Sequence, residues 1–172
     1  GTLTGTGALQ VSSSLTLAAG MTCTYTGTIT FIATTTGKTI TTNGKTLGNL
    51  AFTGVGGGWT LQDNLQLGST SSINQTRGTL DTNSKDVSLS TYISNVSTAR
   101  TLTLGSSTLS FIGTTATPWN ISDPTNLTLN PGTSTIKFTN VFAQPTFVGG
   151  GLTYYNFWSA RGASTEPLTI SG

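Results

Sequence analysis

The chain has 172 residues, with 7 Lys+Arg, 5 Asp+Glu, no His and one Cys, and its charged fraction of 7% compares with about 25% in an average domain. A net charge of +2, from scattered basic residues, excludes an electrostatic footprint for nucleic acid. The missing His excludes a Ser-His-Asp triad and His-based metal sites, and a lone Cys excludes Cys-rich metal sites and any intrachain disulfide.

Thr (39), Gly (22) and Ser (19) dominate the composition. Thr is β-branched and favours extended backbone, while frequent Gly marks turns. Short alternating runs follow one another along the chain. They include Leu15-Thr16-Leu17, Met21-Thr22-Cys23-Thr24-Tyr25, Thr28-Ile29-Thr30-Phe31, Leu102-Thr103-Leu104, Thr108-Leu109-Ser110-Phe111, Leu127-Thr128-Leu129 and Thr135-Ile136-Lys137-Phe138. Apolar residues two apart share one face of a strand. Ala19-Gly20, Gly37-Lys38, Asn43-Gly44, Gly105-Ser106 and Pro131-Gly132 separate the runs as turns. Cys23 reads as a buried structural thiol, because no basic neighbour is close in sequence to activate it. Gly54-Val55-Gly56-Gly57-Gly58 and Gly149-Gly150-Gly151 precede strand-like segments and so read as turns, not phosphate loops. No signal peptide and no apolar run of membrane-spanning length is apparent. The opening at Gly1 without Met, and the close on Leu168-Thr169-Ile170-Ser171-Gly172, suggest a processed product or a segment of a longer chain.

Repeats decide the expected architecture. Residues 102–111 recur at 127–138, with offsets of 25 and 27 residues at the first and second strand. A longer echo relates 15–50 to 127–157: Ile29, Phe31, Asn49 and Leu50 match Ile136, Phe138, Asn156 and Phe157, 107 residues on. The expected fold is all-β: a β-solenoid, or parallel β-helix, of stacked coils of about 25 residues. Residues 1–172 would form one elongated segment, part of a longer chain or assembly. The alternative is an antiparallel β-sandwich. Phe31 and Phe138 are structural repeat positions in this scheme. Asn49 and Asn156 are expected to enter an inward hydrogen-bonded ladder.

The segments Trp59-Thr60-Leu61-Gln62-Asp63-Asn64-Leu65-Gln66-Leu67, Gly78-Thr79-Leu80-Asp81-Thr82-Asn83, Arg100-Thr101-Leu102-Thr103-Leu104-Gly105 and Gly149-Gly150-Gly151-Leu152-Thr153-Tyr154-Tyr155-Asn156 resemble the repeats of bacteriophage fibre and virion proteins and of bacterial surface adhesins. The resemblance runs from about residue 40 to the end. It implies β-helical stalks and no catalytic residues.

The expected function is a non-catalytic structural rod of a virion or extracellular filament, without cofactor or metal. Its coil ends would be capped by a second copy or by flanking chain, with no membrane insertion. One alternative is a cell-surface adhesin that binds host-surface glycan. For it, Trp119, Tyr154, Tyr155 and Trp158 are candidate glycan or subunit contacts, since aromatic rings stack on sugar faces. A second alternative is a polysaccharide-processing enzyme, which needs two facing carboxylates. Asp81 and Asp86 are the closest pair among Asp63, Asp81, Asp86, Asp123 and Glu166, and read as the ends of a solvated turn. Four glycosylation sequons, at Asn74, Asn95, Asn120 and Asn126, are expected by chance in so Thr- and Ser-rich a chain.

Overall fold

The computed structural model describes residues 1–139, 144–161 and 167–172. It is a β-solenoid. The first coil contains β1 (Thr2–Gly5), β2 (Leu9–Val11) and β3 (Leu15–Thr16), the second β4 (Thr22–Tyr25), β5 (Ile29–Phe31) and β6 (Lys38–Thr41). The third contains β7 (Thr46–Leu47), β8 (Leu50–Phe52) and β9 (Gly58–Leu61), the fourth β10 (Leu65–Leu67), β11 (Ser72–Gln75) and β12 (Gly78–Asp81). Then come β13 (Val87–Leu89), β14 (Thr91–Ile93) and β15 (Arg100–Thr103), and β16 (Thr108–Phe111), β17 (Trp119–Asn120) and β18 (Leu127–Asn130). The last windings hold β19 (Thr135–Phe138), β20 (Thr146–Val148), β21 (Asn156–Ser159) and β22 (Thr169–Ser171).

Through β20 every third strand returns to the same face, and β21 and β22 then follow β19 and β20 directly on theirs. The first face runs β1-β4 and then β7-β10-β13-β16-β19-β21, the second β2 through β22, and the third β3 through β18. All ladder pairings among the described residues are parallel, which rules out the antiparallel sandwich. Coils average roughly 22 residues, shorter than the 25 expected, and range from 19 (Ile73 to Tyr92) to 28 (Trp119 to Phe147). The two segments that set the expectation, 102–111 and 127–138, lie in the longest windings.

Register makes the core. On the second face one inward column reads Leu9, Ile29, Leu50, Ile73, Tyr92, Trp119 and Phe147, and the exposed Ile170 continues its register at the C-terminal end. On the first face Leu65, Val87, Leu109, Ile136 and Phe157 align. A strand of three or four residues cannot bury these side chains by itself; the equivalent residue about 4.8 Å away in the next coil does so. Each buried Leu, Ile or Phe contributes about 2 kcal/mol from desolvation. Aromatics stack along the same axis: Phe31 on Phe52 at 4.8 Å and 9°, Tyr92 on Trp119 at 4.7 Å.

The corners need close backbone approach. A Cβ on Gly54 would lie 1.9 Å from the Ala33 carbonyl oxygen, and one on Gly132 would lie 2.2 Å from that of Gly105. Three corners use asparagine in the left-handed region instead: Asn43 (φ 49), Asn83 (φ 51) and Asn126 (φ 57). Each amide donates back to a carbonyl of the preceding coil: Asn43 to Leu17, Asn83 to Leu61 and Asn126 to Ser97, at 2.6, 3.0 and 2.9 Å.

The 107-residue echo does not define a structural period. Ile29 and Phe31 lie on the second face, whereas Ile136 and Phe138 lie on the first. Phe31 and Phe138 are both fully buried, because every face uses the same inward alternation. The short repeat is also two residues out at its first strand, where Leu102 pairs with Leu129 rather than Leu127.

Candidate functional site

The acidic residues stitch coils together. Asp63 accepts hydrogen bonds from the backbone amides of Thr42 (2.9 Å) and Asn43 in the preceding winding. Asn64 accepts from the Asp86 amide at 3.0 Å, and the Asp86 carboxylate in turn accepts from the Thr108 amide at 2.9 Å. These three residues form a short ladder with a step of one coil. Asp81 closes its own turn by accepting from the Asn83 amide at 2.7 Å. Asp81 ends a third-face strand, and Asp86 precedes a first-face strand. Asp123 accepts from the Thr125 amide at 2.9 Å, and hydrogen bonding to Thr125 holds its pKa below the usual carboxylate range. Glu166 lies outside the described residues. Among the described residues no group of three metal-ligating side chains comes together, and no helix is long and apolar enough to cross a membrane.

The four aromatic candidates split into two pairs. Trp119 is fully buried in the second-face column, which corrects its reading as a surface contact. Its Nε1–H donates to the Tyr154 hydroxyl at 3.0 Å, and Tyr154 donates to the Gly149 carbonyl at 2.8 Å. Burial pushes the Tyr154 phenol up to about 12. Tyr154 therefore closes the core over Trp119 and Phe147, its ring 4.9 Å from that of Phe147. Tyr155 and Trp158 instead point outward, 59% and 56% exposed. Strand β21 starts only at Asn156, so the alternation that pairs Tyr154 with Trp158 in the sequence is broken between them.

Asn49 and Asn156 do not form a ladder. The Asn49 side chain accepts from the Ser72 amide at 2.9 Å, one coil on, while Asn156 is exposed and pairs with Thr135. Asn49 thus links two coils singly, as Asn43, Asn64, Asn83 and Asn126 do, with no stacked ladder of asparagines. Of the sequon residues, Asn74, Asn95 and Asn126 are exposed and Asn120 is half-buried. Cys23 is half-buried rather than fully buried. The first-face ladder is interrupted between β4 and β7, leaving a cleft of about 430 Å³ lined by Cys23, Thr24, Tyr25, Thr46, Asn49 and Ser71 among others.

The interior also holds a polar cluster that sequence reasoning missed. Arg100 is 3% exposed. Its guanidinium donates to the carbonyls of Thr98 (2.8 Å), Thr125 (2.9 Å), Ser94 (2.9 Å) and Asp123 (2.6 Å), and to the Ser94 hydroxyl. Burial lowers its pKa, opposed by the neighbouring Tyr92 and Asp123. Beside it, fully buried Gln75 accepts from the Tyr92 hydroxyl at 2.7 Å and donates to the Thr101 and Gly78 carbonyls. All five guanidinium N–H groups are engaged, so Arg100 fastens its own winding to the next and has no donor left for a ligand. The signal was present in the phase: Arg100, Leu102 and Leu104 alternate, and an inward Leu puts the Arg inward as well.

Compared with known proteins, the chain matches no protein-family model, no curated protein and no solved structure.

Proposed function

We propose that this chain is a non-catalytic structural rod segment of a virion or an extracellular filament. The observation that carries the reading is the continuity of the parallel ladders on the second and third faces, which joins successive coils in register without a disulfide. Such a stack is one-dimensional: each coil is stabilised by its neighbours and the array extends by adding more. Eight strands on the first face correspond to a height of about 34 Å at the usual strand spacing. A working shaft therefore uses further coils, supplied by flanking chain or by a second copy set on the open strand edges. The carboxylates support a structural reading, since Asp63, Asp81, Asp86 and Asp123 all accept backbone amides at corners. The resemblance to phage and bacterial surface repeats points to the same setting, outside the cell or on a virion surface. Electron micrographs of the native assembly test this reading. The expected image is an elongated fibre or spike; a compact isolated particle would contradict it.

A further inference from the structure

The C-terminal end of the first face differs from the rest of the surface. Trp59 and Trp119 are 1% and 0% exposed, whereas Trp158 is 56% exposed on an outward position of β21. It is in register with Lys137, which is in register with Ser110. Beside this column runs a second, Thr108–Thr135–Asn156. The Lys137 ammonium stands 4.5 Å from the Trp158 ring centroid. This cation–π contact steadies one face of the indole and leaves the other to solvent. Tyr155, 59% exposed, adjoins the same strand.

The charge at this site comes from Lys137 itself, since basic and acidic residues are otherwise distributed along the whole chain. An exposed aromatic plane flanked by hydroxyls, an amide and a cation matches a sugar ring that bears an anionic group. The apolar ring face stacks on the indole, ring hydroxyls pair with the Thr and Asn side chains, and the anion meets Lys137. We propose that the strip Ser110–Lys137–Trp158, with Thr135 and Asn156 beside it, binds an acidic oligosaccharide laid along the solenoid axis. Two coil intervals separate Ser110 from Trp158, about 10 Å, which calls for more than one sugar unit. The proposal does not depend on the rod reading.

Because the other two tryptophans are buried, a change in intrinsic fluorescence on surface binding reports mainly on Trp158. The chain is titrated with oligogalacturonate, with chondroitin sulfate oligosaccharides, with a neutral cello-oligosaccharide and with oligothymidylate. The expected result is a saturable, salt-sensitive change with at least one acidic oligosaccharide and none with the neutral one; the uronate and the sulfate arms identify which anion is read. Lys137→Gln is expected to weaken that binding about tenfold, and Trp158→Ala, followed by calorimetry, to remove it. Trp158→Phe retains weaker binding and guards against misfolding, and Thr30→Ala on the second face leaves affinity unchanged. The proposal is overturned if neither acidic ligand binds, if Lys137→Gln and Trp158→Ala bind as the native chain does, or if oligothymidylate binds more tightly than both.

Discussion

Arg100→Leu is the substitution most sensitive to how this solenoid is held together. The Leu side chain is apolar and shorter than Arg, so it suits the inward column that Arg100 shares with Gly78 and Leu127 without reaching the guanidinium's partners. What it removes is a set of donors: the buried carbonyl of Ser94 and the part-buried carbonyls of Thr98, Asp123 and Thr125 lose a charged partner. An orphaned buried acceptor costs about 1–3 kcal/mol. Relief from burying a charge offsets part of that sum. We expect a net loss of about 3–5 kcal/mol, which at a slope near 2 kcal/mol/M moves the urea midpoint down by about 2 M. Arg100→Lys should lose most of the same stability, because a single ammonium has three donors at one point and cannot reach four carbonyls spread over two windings. Urea unfolding followed by far-ultraviolet circular dichroism measures both variants. A loss below about 1 kcal/mol for Arg100→Leu, or a neutral Arg100→Lys, would refute the idea that the guanidinium fork fastens the coils.

Three other outcomes follow from packing and burial. Phe138→Ala empties a fully buried site between Phe111, Phe147 and Phe157 and should cost about 3–5 kcal/mol in chemical denaturation. Gly54→Ala drives a methyl into the Ala33 carbonyl and should cost about 1–3 kcal/mol, whereas Gly7→Ala, with open space around it, should be nearly silent by the same assay. Tyr154 is protonated further into alkali in the folded state, up to about 12 from an ordinary value of 10.0. The unfolded chain thus loses that proton first, and stability should be intact below pH 10 and decline from 10 to 12. Tyr92 shifts in the same direction through burial. Thermal melts across this range should show the decline, and Tyr154→Phe should make it shallower.

The architecture was legible because the inward–outward alternation is strict and turn signals are dense. Leu109-Ser110-Phe111 and Ile136-Lys137-Phe138 announce their faces without help. Register was less legible, since Leu127 and Leu129 present the same face and only the ladder decides which one meets Leu102. Face identity was not legible at all, because an Ile-x-Phe strand looks alike on any side of the coil. That is how Ile29 and Ile136 were matched across different sheets. Among the aromatic candidates, adjacency in sequence grouped Tyr154 with Tyr155 and Trp158, whereas the structure sets Tyr154 against Trp119 and Phe147. Arg100 and Gln75 escaped notice because polar side chains are usually assigned outward, although Gln75 shares the inward phase of Ile73.

The most direct test of the stacked-coil account is a distance along the axis. Thr39, Thr60, Asp81, Thr103 and Asn130 form one outward column on the third face, four intervals from end to end. Spin labels placed at residues 39 and 130, in a Cys23→Ser background, should report a single narrow distribution centred near 19 Å between backbone positions. A broad distribution, or one centred far beyond that spacing, would show that the windings do not pile up in register.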